Sequence, residues 1–317
     1  EGTPAEEHIV LGWTLNTRLL MIILPTDKFE AWSSDLREIT NNRRASYGDL
    51  ESTLGRLNHV AYLIPLARHF LNKLRARLHT CRHKNQELTL NAEEVADLTL
   101  WSLFLTKAHK GISMNRVTIR QPSKLGWSDS CPFGIGGFLL SGRAWRVKIP
   151  KLSPIYGADN IANNVLEFVG MVVTVWLPIT ECTKLGDEQA CILALGDNTS
   201  AIGWLYKSSK LSPDSLYYLP VQMIARKLAR LITDSTHCLA SQHIQGDQNT
   251  VSDLLSFASD DRGYPHPLAP DSPPDDILTQ RFHSHIPQLI PEDFEISPLP
   301  SEISSFLIQA LQTIKSS

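Results

Sequence analysis

Four acidic residues stand in local contexts that suit one kind of chemistry. Asp129 ends the run Leu125-Gly126-Trp127-Ser128-Asp129, ahead of a glycine-studded strand from Phe133 to Ser141. Glu167 lies near the start of a helical apolar pattern, Val165 to Leu177. Asp197 follows an apolar strand, Ala190 to Gly196, and Asp253 opens a short helix after His243-Ile244-Gln245-Gly246. Strand ends and helix starts can converge on one edge of a sheet. Carboxylates gathered that way cannot all stay ionised without cations, so the set implies divalent metal. Two such ions about 4 Å apart are a standard device for in-line phosphodiester cleavage. Taken singly, Asp129 and Asp197 read as turn residues, Glu167 as a first-turn helix acid and Asp253 as a cap. Their order on a β-β-β-α-β-α pattern is what points to a metal site.

Other residues around these acids carry two readings each. His243, in a glycine-containing loop, is placed to shuttle protons or help release product, or is a satisfied loop histidine. Gly134, Gly136 and Gly137 would let backbone approach a nucleic acid closely, or permit a bulge. Asn198 contacts substrate or caps the helix that follows it. Trp101, Trp127, Trp145, Trp176 and Trp204 read as core. A Ser-His-Asp elbow, a P-loop and a dinucleotide glycine fingerprint are all missing.

The elements before residue 116 read as a β-hairpin and a helical region. His8 to Trp13 and Leu19 to Leu24 are apolar strands around a turn at Asn16-Thr17, and Pro25 ends the second. A helix over Lys28 to Ile39 follows. Ser46 with Asp49, and Asn91 with Glu94, form cap pairs that open helices running to about Ile64 and about His109, with Gly111 beyond the latter. Pro65 is expected to kink or restart the first of these, and Leu66, Phe70, Leu71, Leu74 and Leu78 continue its stripe.

Length and composition set the frame. At 317 residues with 42% hydrophobic content, two domains are expected. The five cysteines form no C-x-x-C pair, which argues against a zinc knuckle and for a reducing compartment. No uncharged apolar run reaches membrane-span length and no basic leader precedes an apolar one, so the expectation is an intracellular, cytoplasmic or nuclear, protein that is not secreted and meets no membrane. The chain starts without Met and is read as a piece of a longer one. The net charge of −3 is unevenly spread: residues 261–317 carry eight acids against three bases, leaving a net +2 on residues 1–260. Ser52 to Gln86 holds no acid but contains Arg56, Arg68, Lys73, Arg75, Arg77, Arg82 and Lys84. Such a run suits a phosphate backbone, with a solvated helix face as the plain alternative. Nine of the 19 prolines fall between Pro265 and Pro300, which reads as an extended or disordered linker, with one short helix over Ile303 to Ile314 after it.

Several of these stretches resemble a known family. Ser128-Asp129-Ser130-Cys131-Pro132-Phe133-Gly134-Ile135-Gly136-Gly137, Leu166-Glu167-Phe168, Leu195-Gly196-Asp197-Asn198-Thr199-Ser200-Ala201, and His243 to Ser256 resemble the ribonuclease H domain of retrotransposon polyproteins. The similarity is in particular to elements that carry a tyrosine recombinase, and it covers roughly residues 118–260. The intervals between the acids, 38, 30 and 56 residues, suit that fold. Ser252 departs from the pattern, which usually has Ala before the last Asp. Leu11-Gly12-Trp13, Leu50 to His59 and Ile64-Pro65-Leu66-Ala67-Arg68 resemble the palm end and thumb of retroelement reverse transcriptases, without any polymerase active site.

The resemblance implies an α/β fold: a ribonuclease H-like mixed five-stranded sheet with flanking helices, preceded by the hairpin and a mainly helical thumb-like region. It implies three parts: 1–115, palm end and thumb or connection; 116–260, the nuclease domain; and 261–317, the Pro-rich acidic tail. The expected activity is cleavage of the RNA strand of RNA/DNA hybrids, with two Mg2+ ions as cofactors and Mn2+ as the alternative. By resemblance Asp129 bridges the ions, Glu167 and Asp197 hold the one near the attacking water, Asp253 holds the one near the leaving oxygen, and His243 assists. Lys73, Arg75, Arg77 and Asn198 are the expected nucleic-acid contacts. The expected partners are the hybrid and the upstream polymerase palm and fingers of the same polyprotein. The competing reading is a non-catalytic remnant that only binds nucleic acid or protein; an integrase or transposase of the same superfamily is a third.

Overall fold

The structure is a computed structural model, and it describes residues 6–81, 83, 85–114, 121–149, 160–186, 190–205, 211, 215–235, 237–256, 279–280, 283–284 and 293–313. Two compact units divide the chain at Arg120–Gln121.

The first unit opens with an antiparallel meander, β1 (Glu7–Val10), β2 (Trp13–Asn16) and β3 (Met21–Ile23). One hairpin with a turn at Asn16-Thr17 is expected; two are found. The added reversal sits at Leu11-Gly12, where φ is 51° and 82°. Two left-handed residues in succession make the tight primed turn that fits strand twist, and a leucine there gives no turn signal. Then come α1 (Thr26–Asn42), β4 (Arg44–Ser46), α2 (Tyr47–Ala61), a 3-10 turn (Pro65–Leu71), α3 (Asn72–His79), β5 (Glu87–Thr89), α4 (Ala92–Lys110) and β6 (Ile112–Ser113). Both cap pairs form. The Ser46 hydroxyl accepts from the Asp49 N–H at 3.1 Å, and Asn91 and Glu94 bond reciprocally at 2.9 and 2.8 Å. Pro65 does restart the helix as a 3-10 turn. Leu36, Leu50, Leu57, Leu74 and Leu98 are buried, along with Phe70 stacked on Phe104 and Trp101 edge-on to Phe104.

The second unit is a mixed α/β layer structure. Its elements are β7 (Lys124–Cys131), β8 (Gly134–Leu139), β9 (Arg143–Lys148), α5 (Asn160–Leu185), β10 (Cys191–Gly196), α6 (Thr199–Trp204), α7 (Tyr218–Asp234), β11 (Cys238–His243), a 3-10 turn (Gly246–Gln248), α8 (Thr250–Leu255), β12 (Glu295–Ile296) and α9 (Ser301–Gln312). The strand order is β11-β10-β7-β8-β9-β12. β7, β8 and β9 form an antiparallel meander, and β10 and β11 add parallel to β7. These five strands with flanking helices are compatible with the expected ribonuclease H-like sheet.

One expectation changes here. The sheet has a sixth strand, β12, parallel to β9 and drawn from the segment expected to be a separate tail. Phe294, Ile303 and Leu307 are buried, Phe306 meets Trp176 edge-to-face at 5.6 Å, and Lys227 pairs with Glu302 at 2.9 Å. Proline and acid counts conceal these few apolar anchors. Most of residues 265–292, expected to be an extended linker, lie outside the described residues. The expectation that no span is present bears on α5. Ala162–Leu185 is long and apolar enough, by length and composition, to cross a membrane, with a mean hydropathy of 1.6. Yet 89% of that window is buried inside the protein, with the sheet against one side and α6 and α7 against others. A helix apolar all round belongs in a core or a bilayer, and this one has a core around it.

Candidate metal centre

Strand register brings the first two acids together. β7 and β10 run parallel with Trp127 beside Leu195. Continuing that register sets Asp129, within β7, beside Asp197, the first residue after β10. Gly170 lets α5 lie close on the sheet: a Cβ there would sit 3.1 Å from Ile135 Cγ2 and 3.4 Å from Ser128 Cβ. Glu167, one turn earlier on α5, then reaches Ser130 on β7. On the other side α8 packs on β7 and β8. A Cβ on Gly136 would lie 2.6 Å from the Leu255 carbonyl oxygen, so only glycine admits α8, and with it Asp253, this close. Gly134, Gly136 and Gly137 are buried. Gly136 thus seats α8, and Gly137 lies against the Trp127 carbonyl and the Trp145 ring of the neighbouring strands.

Carboxylate oxygens of Asp129, Asp197 and Asp253 all lie within 4.8 Å of one another. Asp129 hydrogen-bonds the carboxyls of both Glu167 and Asp253, and its Oδ2 accepts from the Ser256 hydroxyl at 2.9 Å. Glu167 stands outside the trio. Its Oε1 accepts from the Ser130 N–H at 3.0 Å and the Ser130 hydroxyl at 2.9 Å. Asp129 is 6% exposed and Glu167 3%. Burial, then the charge of Glu167, Asp253 and Asp197, raises Asp129 well above the carboxylate range. Burial and then Asp197 push Glu167 to about 8, and burial takes Asp253 to about 6. Without cations the cluster holds protons. Hard oxygen donors that lie this close and resist ionisation when alone fit a divalent ion such as Mg2+ or Mn2+.

The remaining expected residues fall in both units. His243 pairs with Gly196 at the end of β11, and its exposed ring places Nε2 3.0 Å from the Asp197 carbonyl. Asn198 caps α6: its Oδ1 accepts from the Ala201 N–H at 3.0 Å and its Nδ2 donates to Asn164 Oδ1 at 2.7 Å. The capping reading is the one realised. Lys73, Arg75 and Arg77 belong to the first unit and have internal partners. Lys73 pairs with Glu93, Arg77 is bidentate to Glu94 at 2.9 and 3.2 Å, and Arg75 donates to Asn58 at 2.8 Å. The basic run is acid-free only along the chain: α4 supplies counter-charges to Lys73 and Arg77, and Asp35 of α1 supplies one to Arg56. Trp127 stacks on Phe138 at 4.7 Å as core.

Four further residues shape the site without having been singled out for it. Ser130 binds Glu167. Ser256 binds Asp129, and Asn249 Nδ2 donates to the Ser128 carbonyl at 3.1 Å. Gly246 lies against Asp197, where a Cβ would sit 3.3 Å from Oδ2. The available signal is spacing: Asn249 and Ser256 lie four before and three after Asp253, one helical turn either way.

No protein-family model matches the chain, and no curated protein matches it. Among solved structures, a foamy viral protease-reverse transcriptase in complex with RNA/DNA hybrid is 13% identical with a TM-score of 0.27, over 75% of this chain and 29% of that one. The same type of protein in complex with double-stranded DNA is 13% identical with a TM-score of 0.26, over 75% of this chain and 45% of that one. The chain thus spans less than half the length of these structures, and functional assignment rests on the carboxylates themselves.

Proposed function

We propose that this chain carries a divalent-metal-dependent ribonuclease H that cleaves the RNA strand of RNA/DNA hybrids, as the C-terminal part of a retroelement reverse transcriptase polyprotein. One observation carries the reading. Carboxylates from four separated stretches converge within and around a cluster whose aspartate oxygens lie within 4.8 Å of one another. The motifs that surround those acids in the sequence supply the substrate class. Asp129, Asp197 and Asp253, with Glu167 beside Asp129, would hold Mg2+ or Mn2+. Bound there, the ions would lower the pKa of water and neutralise charge on the phosphodiester.

The protein groups have distinct tasks in this reading. Asp129 and Glu167 give up their protons when cations arrive. Ser130 keeps Glu167 turned toward β7. His243 engages the Asp197 carbonyl through Nε2, so a neutral ring carries its hydrogen there and offers Nδ1 to take a proton at the exposed edge of the site. Partner domains, the polymerase palm and fingers of the same polyprotein, and an intracellular setting belong to the same proposal. The complete acid set favours catalysis over a remnant that only binds. Incubation of a labelled RNA/DNA hybrid with the full chain tests it: cleavage with Mg2+ and none in EDTA is expected, and an intact hybrid in both would overturn it.

A further inference from the structure

The acids repel one another, and α8 is a helix of six residues. So short a helix has little stability of its own. Something must hold it down on β7. Two buried side chains bracket Asp253. Asn249, 1% exposed, donates from Nδ2 to the Ser128 carbonyl at 3.1 Å. Ser256, fully buried, has its hydroxyl 2.9 Å from Asp129 Oδ2 and 2.9 Å from the Asp253 carbonyl. The Cys131 thiol donates to the Ser256 carbonyl at 3.0 Å, which ties the same end of α8 to β7 again.

We propose that Asn249 and Ser256 are positioning residues: a two-ended clamp that fastens α8 to β7 and so sets the Asp129–Asp253 separation and the rotation of the Asp129 carboxylate before a cation arrives. The inference rests on the carboxylates being the metal site. Ser128 and Asp129 are adjacent, so the two bonds hold the helix at neighbouring points of one strand while Asp253 sits between them in sequence. The bond to Oδ2 also fixes which Asp129 oxygen faces inward. Ser252 provides the internal comparison. It lies on the same helix, is equally buried, and its Oγ has no hydrogen-bond partner among the described residues.

The test compares Ser256→Ala, Asn249→Ala and Ser252→Ala in the full chain, by melting during titration with MnCl2 alone and by hybrid cleavage. Ser252→Ala should keep the wild-type Mn2+ midpoint. Ser256→Ala and Asn249→Ala should need at least about tenfold more Mn2+, the usual effect of losing a group that orients a ligand. At saturating Mn2+ their kcat should fall while KM for the hybrid stays unchanged, and Ser256→Thr, which restores the hydroxyl, should recover the midpoint. If Ser256→Ala does not fold, Ser256→Cys, which fills the same space with a weaker donor, should show the same shift. Midpoints for Ser256 and Asn249 variants equal to that of Ser252→Ala would overturn the clamp while leaving the metal site intact. No Mn2+-dependent shift in the wild-type chain would remove the metal site and the clamp together.

Discussion

Asp129→Asn separates charge from shape at the centre of the site. Oxygens of Asp129, Asp197 and Asp253 lie within 4.8 Å of one another, so each fully ionised pair would cost at least roughly 3 kcal/mol at an effective dielectric constant near 20. The metal-free protein avoids that cost by retaining protons, since Asp129 is held well above the carboxylate range and Glu167 at about 8. Asparagine reproduces the protonated acid: its oxygen accepts from Ser256 and its amide donates to Glu167 or Asp253. In EDTA at neutral pH the variant should therefore match wild type within about 1 kcal/mol. Divalent metal should part them. At a hundred times its dissociation constant a cation adds about 3 kcal/mol to the folded state, which is roughly 6–12 °C in Tm for a domain of this size. Wild type should show that rise and Asp129→Asn should show almost none, with hybrid cleavage abolished. Thermal melts followed by circular dichroism, with EDTA or MgCl2, measure both. An Mg2+-induced rise of wild-type size in the variant, or a loss of several degrees in EDTA, would refute the reasoning.

Acidity gives a second expectation. Glu167 and Asp253 are raised in the folded state, from 4.5 to about 8 and from 3.8 to about 6. Their stabilising contribution is complete below about pH 4 and is lost as pH rises through 6 and 8. In EDTA, Tm should decline between pH 5 and 8, and saturating Mg2+ should flatten or reverse the trend; a rise in EDTA contradicts the shifts. Gly136→Ala places a methyl 2.6 Å from the Leu255 carbonyl oxygen, and should cost about 2 kcal/mol in urea unfolding and abolish cleavage; wild-type cleavage would mean α8 need not sit where it does. Arg77→Ala leaves Glu94, 5% exposed at its side chain, with the Asn91 N–H as its remaining hydrogen-bond donor. It should destabilise the first unit by about 2 kcal/mol, after allowing for the partial exposure of Arg77. The salt dependence of hybrid binding should not change, and a shallower salt slope would return Arg77 to the phosphate-contact role. Phe294→Ala, beside Phe138 at 6.0 Å, should lower the stability of the second unit by about 3 kcal/mol, whereas an unchanged melt would make the C-terminal segment dispensable.

What could be read from the sequence was local. The Ser46–Asp49 and Asn91–Glu94 caps, the break at Pro65 and the strands ahead of Asp129 and Asp197 depend on neighbouring residues, and each forms. The four acids were legible for the same reason. What escaped depends on which surfaces meet. A strand glycine serves whatever covers its side of the sheet, and at Gly136 that is α8. The charges on Lys73 and Arg77 are answered by Glu93 and Glu94, one helix away. Ser256 and Asn249 matter only once α8 lies on β7. Phe294 and Leu307 are too few among prolines and acids to mark a strand and helix that complete the second unit.

The central claim is that these carboxylates cut RNA within a hybrid. The most direct measurement uses one RNA/DNA hybrid labelled in turn on each strand, incubated with the full chain in Mg2+ and in EDTA, beside the Asp129→Asn variant. Mg2+-dependent cleavage of the RNA strand alone, absent in EDTA and in the variant, is the predicted result. Cleavage of the DNA strand to the same extent, or RNA cleavage that survives EDTA or the loss of Asp129, would contradict it.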